Sequence, residues 1–384
     1  MSQWLILSSL TLSSGTGIRL KGIANGLARN GNRVYLVGTG EYDHIAKGVN
    51  YIQVKGEAGS IITALRLFLA NFWAVVRTHP DFCIASKPLP HSVIPGLCAR
   101  VMGAVTLLDF DDLESAYWQG RPWQPLLRLM EKLFPRLLHR TCVHTHELAE
   151  EVKSQVGLRP SRVLKLEQGI EPGLFEPQKA DYYNKGSVVL YAAHLGVAAE
   201  GLHFVLQGFR SLASQGKDFT LLVVGGGPSF PRFSKRVQKL GLEGRVVFAG
   251  QIPHRQMPKV MSLARAAVNY LPPESPASRY RASVKVREYL AMGLPVATNL
   301  AGSDLSAFLP FLHVFEAGDV EEFVQTIERA IAQGRSQDSS RELRENWSWE
   351  IVVGKFLREL KERTIEARND QFKCLSRVRN RDSG

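Results

Sequence analysis

Several residue groups in this chain have the types and spacing to do chemistry. Ser13 to Gly17 (SSGTG) and Gly225 to Pro228 (GGGP) are glycine-rich turns that let a backbone approach a ligand and, ahead of a helix, favour an anion. The first lacks the Gly-x-Gly-x-x-Gly spacing of a dinucleotide fingerprint, and a plain tight turn explains it as well. Asp109, Asp111 and Asp112 (LLDFDD) close an apolar run. Carboxylates there can bind a metal, act on an acceptor hydroxyl, or cap the next helix, which is the expectation for Asp112. His144 and His146 sit two apart and could face one ligand, but no third ligand is in view. Thr145 between them suits a helix N-cap, so the structural reading is preferred. The densest segment is Ser283 to Ala297 (SVKVREYLAMGLPVA), where Lys285 and Glu288 share a short helix that Gly293 should stop.

Positioning these groups takes strands that end at them. Short apolar runs alternate with stretches of helical period, the pattern of βαβ units and a parallel sheet, so the class is α/β. Strands are expected at Trp4 to Ser8, Arg33 to Val37, Asn50 to Val54, Phe82 to Ala85, Val105 to Asp109 and Arg140 to Val143. A second set falls at Val188 to Ala192, Thr220 to Val224, Val246 to Ala249, Ala266 to Asn269 and Pro295 to Thr298. Leu20, Ile23, Ala24 and Leu27 mark one face of a helix that Gly31 closes. At 384 residues the chain has room for two domains, and the polar, Pro- and Gly-containing stretch Glu171 to Gly186 is the expected join. Both glycine turns and the aspartate run then lie at carboxyl ends of parallel strands, the edge where open α/β sheets bind ligands.

Composition narrows the class further. With 45% hydrophobic and 22% charged residues the chain is an ordinary globular protein, neither collagen-like nor disordered. The net charge of +12 is spread over both halves. It concentrates locally in Tyr117 to Thr141, where five basic residues and one acidic one interleave with tryptophan and leucine. That stretch reads either as a cationic amphipathic surface for anionic lipid or as a helix packed on its domain with a wet basic face. No nucleic-acid-binding motif accompanies it. The four cysteines have neither pairing nor ligand spacing, which fits a reducing cytosol. Residues 1–12 lack a signal-peptide leader, and Ser60 to Val76, interrupted by Arg66 and Asn71, is read as too short to span a membrane.

SVKVREYLAMGLPVAT resembles the signature segment of retaining glycosyltransferases of the GT-B fold, family 4. Other blocks match in order: SGTGIRLKGIANGLARNGNRVYLVG, GIEPGLFEP, VVLYAAHLGVAAEGLHFVLQGF, LLVVGGGP, VVFAGQIPHRQMPKVMSLARAAVNYLPP and the closing SWEIVVGKFLREL. The resemblance implies two Rossmann-like domains facing a central cleft: an acceptor domain (1–178), a nucleotide-sugar domain (179–348), a helix crossing back (349–366) and a basic, disordered tail (367–384). It places Glu288 on the donor ribose, Lys285 near the phosphates, and Gly15, Gly17, Gly225, Gly226, Gly227 and Tyr280 around the donor. His194 with Asp109 and Asp111 are the catalytic expectations, the aspartates on the acceptor side.

Two departures stand out. Where the family carries an Arg and, six residues later, a Lys to clamp the diphosphate, this chain has His194 and Glu200, and where it commonly has a first glutamate this chain has Tyr280. A subgroup with a Lys before the helix relaxes that glutamate, and Lys285 fits it; Arg279, Arg281 and Arg287 are further cations close by. The expected activity is sugar transfer from a nucleotide sugar, without a metal or other cofactor, to a cell-envelope glycan or lipid-linked saccharide. The expected place is the cytoplasm, peripheral on the inner membrane face. The rivals are an inactive GT-B-like accessory subunit, favoured by His194 and Glu200, and a nucleotide-sugar epimerase of the same fold.

Overall fold

The computed structural model describes residues 1–42, 44–56, 60–177, 187–196, 201–301 and 303–379. Its first sheet has seven parallel strands in the order β3-β2-β1-β4-β5-β6-β7. They are β1 (Gln3–Thr11), β2 (Arg33–Thr39), β3 (Val49–Val54), β4 (Phe82–Ser86), β5 (Val105–Asp109), β6 (Arg140–Val143) and β7 (Val163–Lys165). The second sheet, also parallel, runs β10-β9-β8-β11-β12-β13. Its strands are β8 (Ser187–Ala192), β9 (Phe219–Val224), β10 (Val246–Gly250), β11 (Ala266–Asn269), β12 (Val296–Thr298) and β13 (Leu312–Val314). In both sheets the order reverses beside the first strand, so each opens a crevice at its carboxyl edge there. The expected strands all form; β7 and β13, three residues each at sheet edges, are additions.

The helix Gly15–Arg29 starts where β1 ends. Ser14 caps it by accepting from Gly17 N, and it buries Leu20, Ile23, Ala24 and Leu27. Gly31, at φ +79°, takes the left-handed conformation after its end. The helix Trp349–Arg379 packs on it across the same face of the first sheet, and Trp349, Val352, Val353, Phe356 and Leu360 join the first-domain core. Gly22 and Gly26 make that approach possible, because a Cβ on either would collide with Trp349. This last helix continues well past 366. Nothing between Lys355 and Arg379 is Gly or Pro, so no residue breaks it and the segment 367–379 is helical where a disordered tail was expected. Of the expected join, Glu171–Pro177 is described, while 178–186 lies outside the described residues. The two halves meet where chains run side by side: Ile170 N donates to Trp347 O (2.9 Å) and Trp349 N to Ile170 O (3.0 Å).

Candidate functional site

In the second domain the carboxyl ends of β8 and β9 are continued by loops that bond to each other. Ala193 N donates to Val224 O, Leu195 N to Gly226 O and Gly225 N to Gly250 O, at 2.8 to 2.9 Å. Gly225 and Gly227 have φ of +133° and +152°, and a Cβ on them would run into the carbonyls of Ala193 and Leu195. These two glycines serve the close packing of loops, while Gly226 is the one with room beside it, near Gln251. His194 is exposed at the tip of the β8 loop; Glu200 lies outside the described residues.

The helix Val284–Ala291 forms as expected, ending before Gly293, whose φ of +67° sets the turn into β12. It is tied to the end of β8 twice. Lys285 Nζ donates to Ala192 O (2.9 Å) and lies over the Tyr191 ring, and Ala192 N donates to the Tyr289 hydroxyl (3.2 Å). Burial, with Arg281 nearby, brings the Lys285 amine down to about 7. Glu288 is buried and pairs through Oε1 with His254 Nε2 at 2.6 Å, and the His254 ring leans on Phe175. The pair borders a cavity of about 30 Å³ between the halves, lined also by Lys21, Asn25, Glu171 and Trp349. His254 was not singled out from the sequence; its link to Glu288 spans 34 positions. Arg287 is no surface cation: it is buried against Asp304, beneath Phe308 and Trp347.

Across the cleft, the aspartate run at the end of β5 is almost wholly engaged. Asp109 is fully buried, and Arg19 holds it through Nε (3.0 Å) and Nη2 (2.8 Å) while also donating to Leu166 O and Glu167 O. Asp109 therefore anchors Arg19, which clasps the first helix to the segment after β7. That corrects its assignment to the acceptor, since no substrate reaches a carboxylate so enclosed. Asp111 accepts from the Thr16 hydroxyl (2.7 Å) and pairs with Lys87 (2.9 Å), which also meets Glu114. Burial opposes the Asp111 charge, but Lys87 and Thr16 outweigh it and hold the carboxyl below its usual range. Lys87 itself is buried at φ +59°, a left-handed conformation that a non-glycine residue keeps only when its surroundings impose it.

Asp112 caps nothing. The short helix Glu114–Tyr117 has Leu113 at its N-cap position without a side-chain bond. Instead the Tyr117 hydroxyl donates to Asp112 (2.5 Å) and accepts from Arg281 Nη2 (2.9 Å), a chain of polar groups across the two halves. Burial pushes the Asp112 carboxyl up to about 6, against Lys87 and Arg281.

Tyr280 also faces the first domain. Its carbonyl accepts from His144 Nε2 (3.0 Å) and the Thr145 hydroxyl (3.3 Å), its own hydroxyl donates to Glu151 (3.1 Å), and its ring joins the cluster of Leu108 and Phe110. Its place is a joint between domains, which corrects the expectation of a donor contact. His144 is buried and brought down to about 3, chiefly by burial and next by Arg19, whereas His146 is exposed, so the two do not face one ligand. Thr145 caps its helix through Leu148 N (3.1 Å). At the first glycine turn, Gly17 is required because a Cβ would meet the Leu12 backbone, and Gly15 borders open space.

Comparison with known proteins bears on the fold and on the second domain. Residues 186–333 match the family described as glycosyl transferases group 1. The chain is 29% identical over 135 residues to 2-deoxystreptamine glucosyltransferase of Streptomyces kanamyceticus, a match that spans 34% of this chain and only 33% of that protein. Among solved structures, sucrose-phosphate synthase from Thermosynechococcus elongatus superposes with a TM-score of 0.74 at 16% identity, over 96% of this chain and all (100%) of that one. HepE of Anabaena, solved with UDP-glucose, gives 0.62 at 15% identity over 96% of this chain and 100% of its own. Residues 186–333 are thus similar to the glycosyl transferases group 1 family, within a chain that has the two-domain GT-B fold.

Proposed function

We propose that the chain is a glycosyltransferase that moves a sugar from a nucleotide sugar to a glycan or lipid-linked saccharide, with retention at the anomeric carbon as in family 4. The observation that carries the reading is Glu288: a buried carboxylate on the helix beside the β8 end, bordering the cavity between the halves and paired with His254. A carboxylate so placed accepts two ribose hydroxyls in charge-assisted hydrogen bonds once His254 swings aside. Lys285, next to the end of β8, then meets the diphosphate and keeps its proton there, supplying positive charge. HepE, solved with UDP-glucose, favours a uridine donor as the first to test.

A cavity of about 30 Å³ is far below the roughly 300 Å³ or more that ligand pockets occupy, so the halves open before a donor enters. The paired crossing at Ile170 and Trp349 is the natural pivot, and closure afterwards excludes water from the reacting carbon. Asp111, with Thr16 and Lys87 fixing it at the first-domain rim, is the carboxylate left for the acceptor side.

Calorimetric titration with UDP and GDP, followed by a donor-hydrolysis assay, tests the reading. Binding of one nucleotide that Glu288→Ala abolishes, with an unchanged circular dichroism spectrum, is the expected result. No binding of either nucleotide would leave the accessory-subunit reading in its place, and turnover surviving Glu288→Ala would refute the ribose contact.

A further inference from the structure

Strand alternation sorts the first-domain helices onto two faces. On β1, Trp4 and Ile6 lie in the cluster shared with the helices Gly15–Arg29 and Trp349–Arg379, while Leu5 and Leu7 lie in the one beneath the helices Ile61–Thr78 and Pro90–Val101. Leu108 and Val143 carry this second face across β5 and β6, where Val93 and Phe134 bring in Pro90–Val101 and the helix Gln124–Leu137. Arg100 donates to Leu137 O and links these last two. Three helices therefore roof one side of the sheet.

The outer surface of that roof is apolar. On the first helix Ile61, Leu65, Leu69, Phe72, Trp73 and Val76 recur at helical spacing and are 43% to 87% exposed. Val101 follows on the second at 88%, and Trp123, Leu126, Leu129 and Leu133 on the third at 44% to 57%. The same helices carry six exposed cations, Arg66, Arg77, Arg100, Arg128, Lys132 and Arg136. Their single acid, Glu131, is turned inward and accepts from the Ser115 amide (2.8 Å) and hydroxyl (2.7 Å). Monomer surfaces rarely expose so continuous an apolar area.

We propose that this three-helix roof docks on an anionic lipid bilayer, its apolar stripes at the level of the headgroups and its arginines and lysine on the phosphates. The surface is wider than the Tyr117–Thr141 stretch legible in the sequence, and it stands whether or not the chain transfers sugars. The helix Ile61–Thr78 is long and apolar enough to cross a membrane, but it is fastened down by buried Leu67, Ala74 and Val75. Asn71 Nδ2 in addition donates to Ser8 O (3.1 Å) and His91 O (2.7 Å). Crossing would strip those bonds, so the helix lies on the bilayer. A second copy is a poor occupant, because a two-fold contact would set six cations against six.

Sedimentation of the full chain with phosphatidylcholine vesicles, with and without an equal part of phosphatidylglycerol, tests this. Association is expected with the anionic vesicles only, and it should weaken as salt rises. Arg128→Gln with Lys132→Gln should weaken it about 25-fold, roughly fivefold per cation. Leu65→Glu, Leu69→Glu and Trp73→Glu together should weaken it at least about tenfold. Leu263→Glu, on the second domain and 40% exposed, should change nothing. Each variant is checked for an unchanged thermal melt. No association, equal association with neutral vesicles, indifference to both sets of substitutions, or dimerisation lost in the Leu65 set in place of vesicle binding would each overturn the proposal.

Discussion

An amine brought down to about 7 has a measurable consequence at Lys285. In the free protein it is charged below pH 7 and about nine-tenths neutral at pH 8. A diphosphate beside the end of β8 favours the charged form, so binding above pH 7 must take up a proton. The dissociation constant for UDP should then rise about tenfold per pH unit between roughly 7.5 and 9, each decade being about 1.4 kcal/mol. That window lies above the second phosphate ionisation, near 6, so the ligand itself does not change. At pH 7 the direct attraction between a cation and phosphate about 4 Å apart is on the order of 4 kcal/mol at an effective dielectric of 20, partly offset by desolvation. Lys285→Met, which keeps the length and removes the charge, should therefore weaken binding on the order of 10²-fold and flatten the pH profile. Titration calorimetry at pH 7, 8 and 9 in two buffers of different ionisation enthalpy reads both the affinity and the proton uptake. A flat profile for the unaltered protein, or the same slope in Lys285→Met, would refute the placement of Lys285 on the phosphates.

Asp109→Asn should destabilise the fold by about 3–5 kcal/mol in urea titration, because Arg19 is left buried without its counter-charge; loss of turnover with unchanged stability would instead restore Asp109 to the acceptor. Gly225→Ala should cost at least about 3 kcal/mol from its positive φ and the collision with Ala193 O, and Gly226→Ala less than about 1 kcal/mol. Equal costs at the two would show that the loop is not packed as described. His254→Ala should leave UDP binding within about fivefold of the unaltered protein or tighten it, since His254 competes with the ribose for Glu288; a loss as large as that of Glu288→Ala would make His254 a nucleotide contact in its own right.

Periodicity carried the fold because strand length and helix face are local properties, and β7 and β13 escaped since three residues cannot display a period. The short helix that carries Lys285 and Glu288 was legible for the same reason, while the roles expected of the two came from the resemblance of their segment to the family signature. The aspartates behaved differently. LLDFDD shows three carboxylates, but their roles depend on Arg19, ninety positions away from Asp109, and on Lys87, and no local pattern announces either pairing. Tyr280 and Arg281 misled in the same way: a segment that reads as part of the donor domain turns its side chains to Glu151 and Tyr117 in the other half. The glycine runs were found but over-read, because the loops need Gly225 and Gly227 before any ligand does.

The return of Trp349, Val352, Phe356 and Leu360 to the first core has a consequence for biosynthesis. Leu20, Ile23 and Leu27 bury their outer side against residues that leave the ribosome nearly two hundred positions after β7 is complete. At 5–20 residues per second that interval is roughly 10–40 s. During it the nascent first half carries an open apolar groove, while the second half, whose strands and helices lie between the two crossings, has all of its sheet available. The half made first is therefore the half finished last. A chain stopped before Trp349 would lack the wedge that seals the first core, whatever its second half can bind.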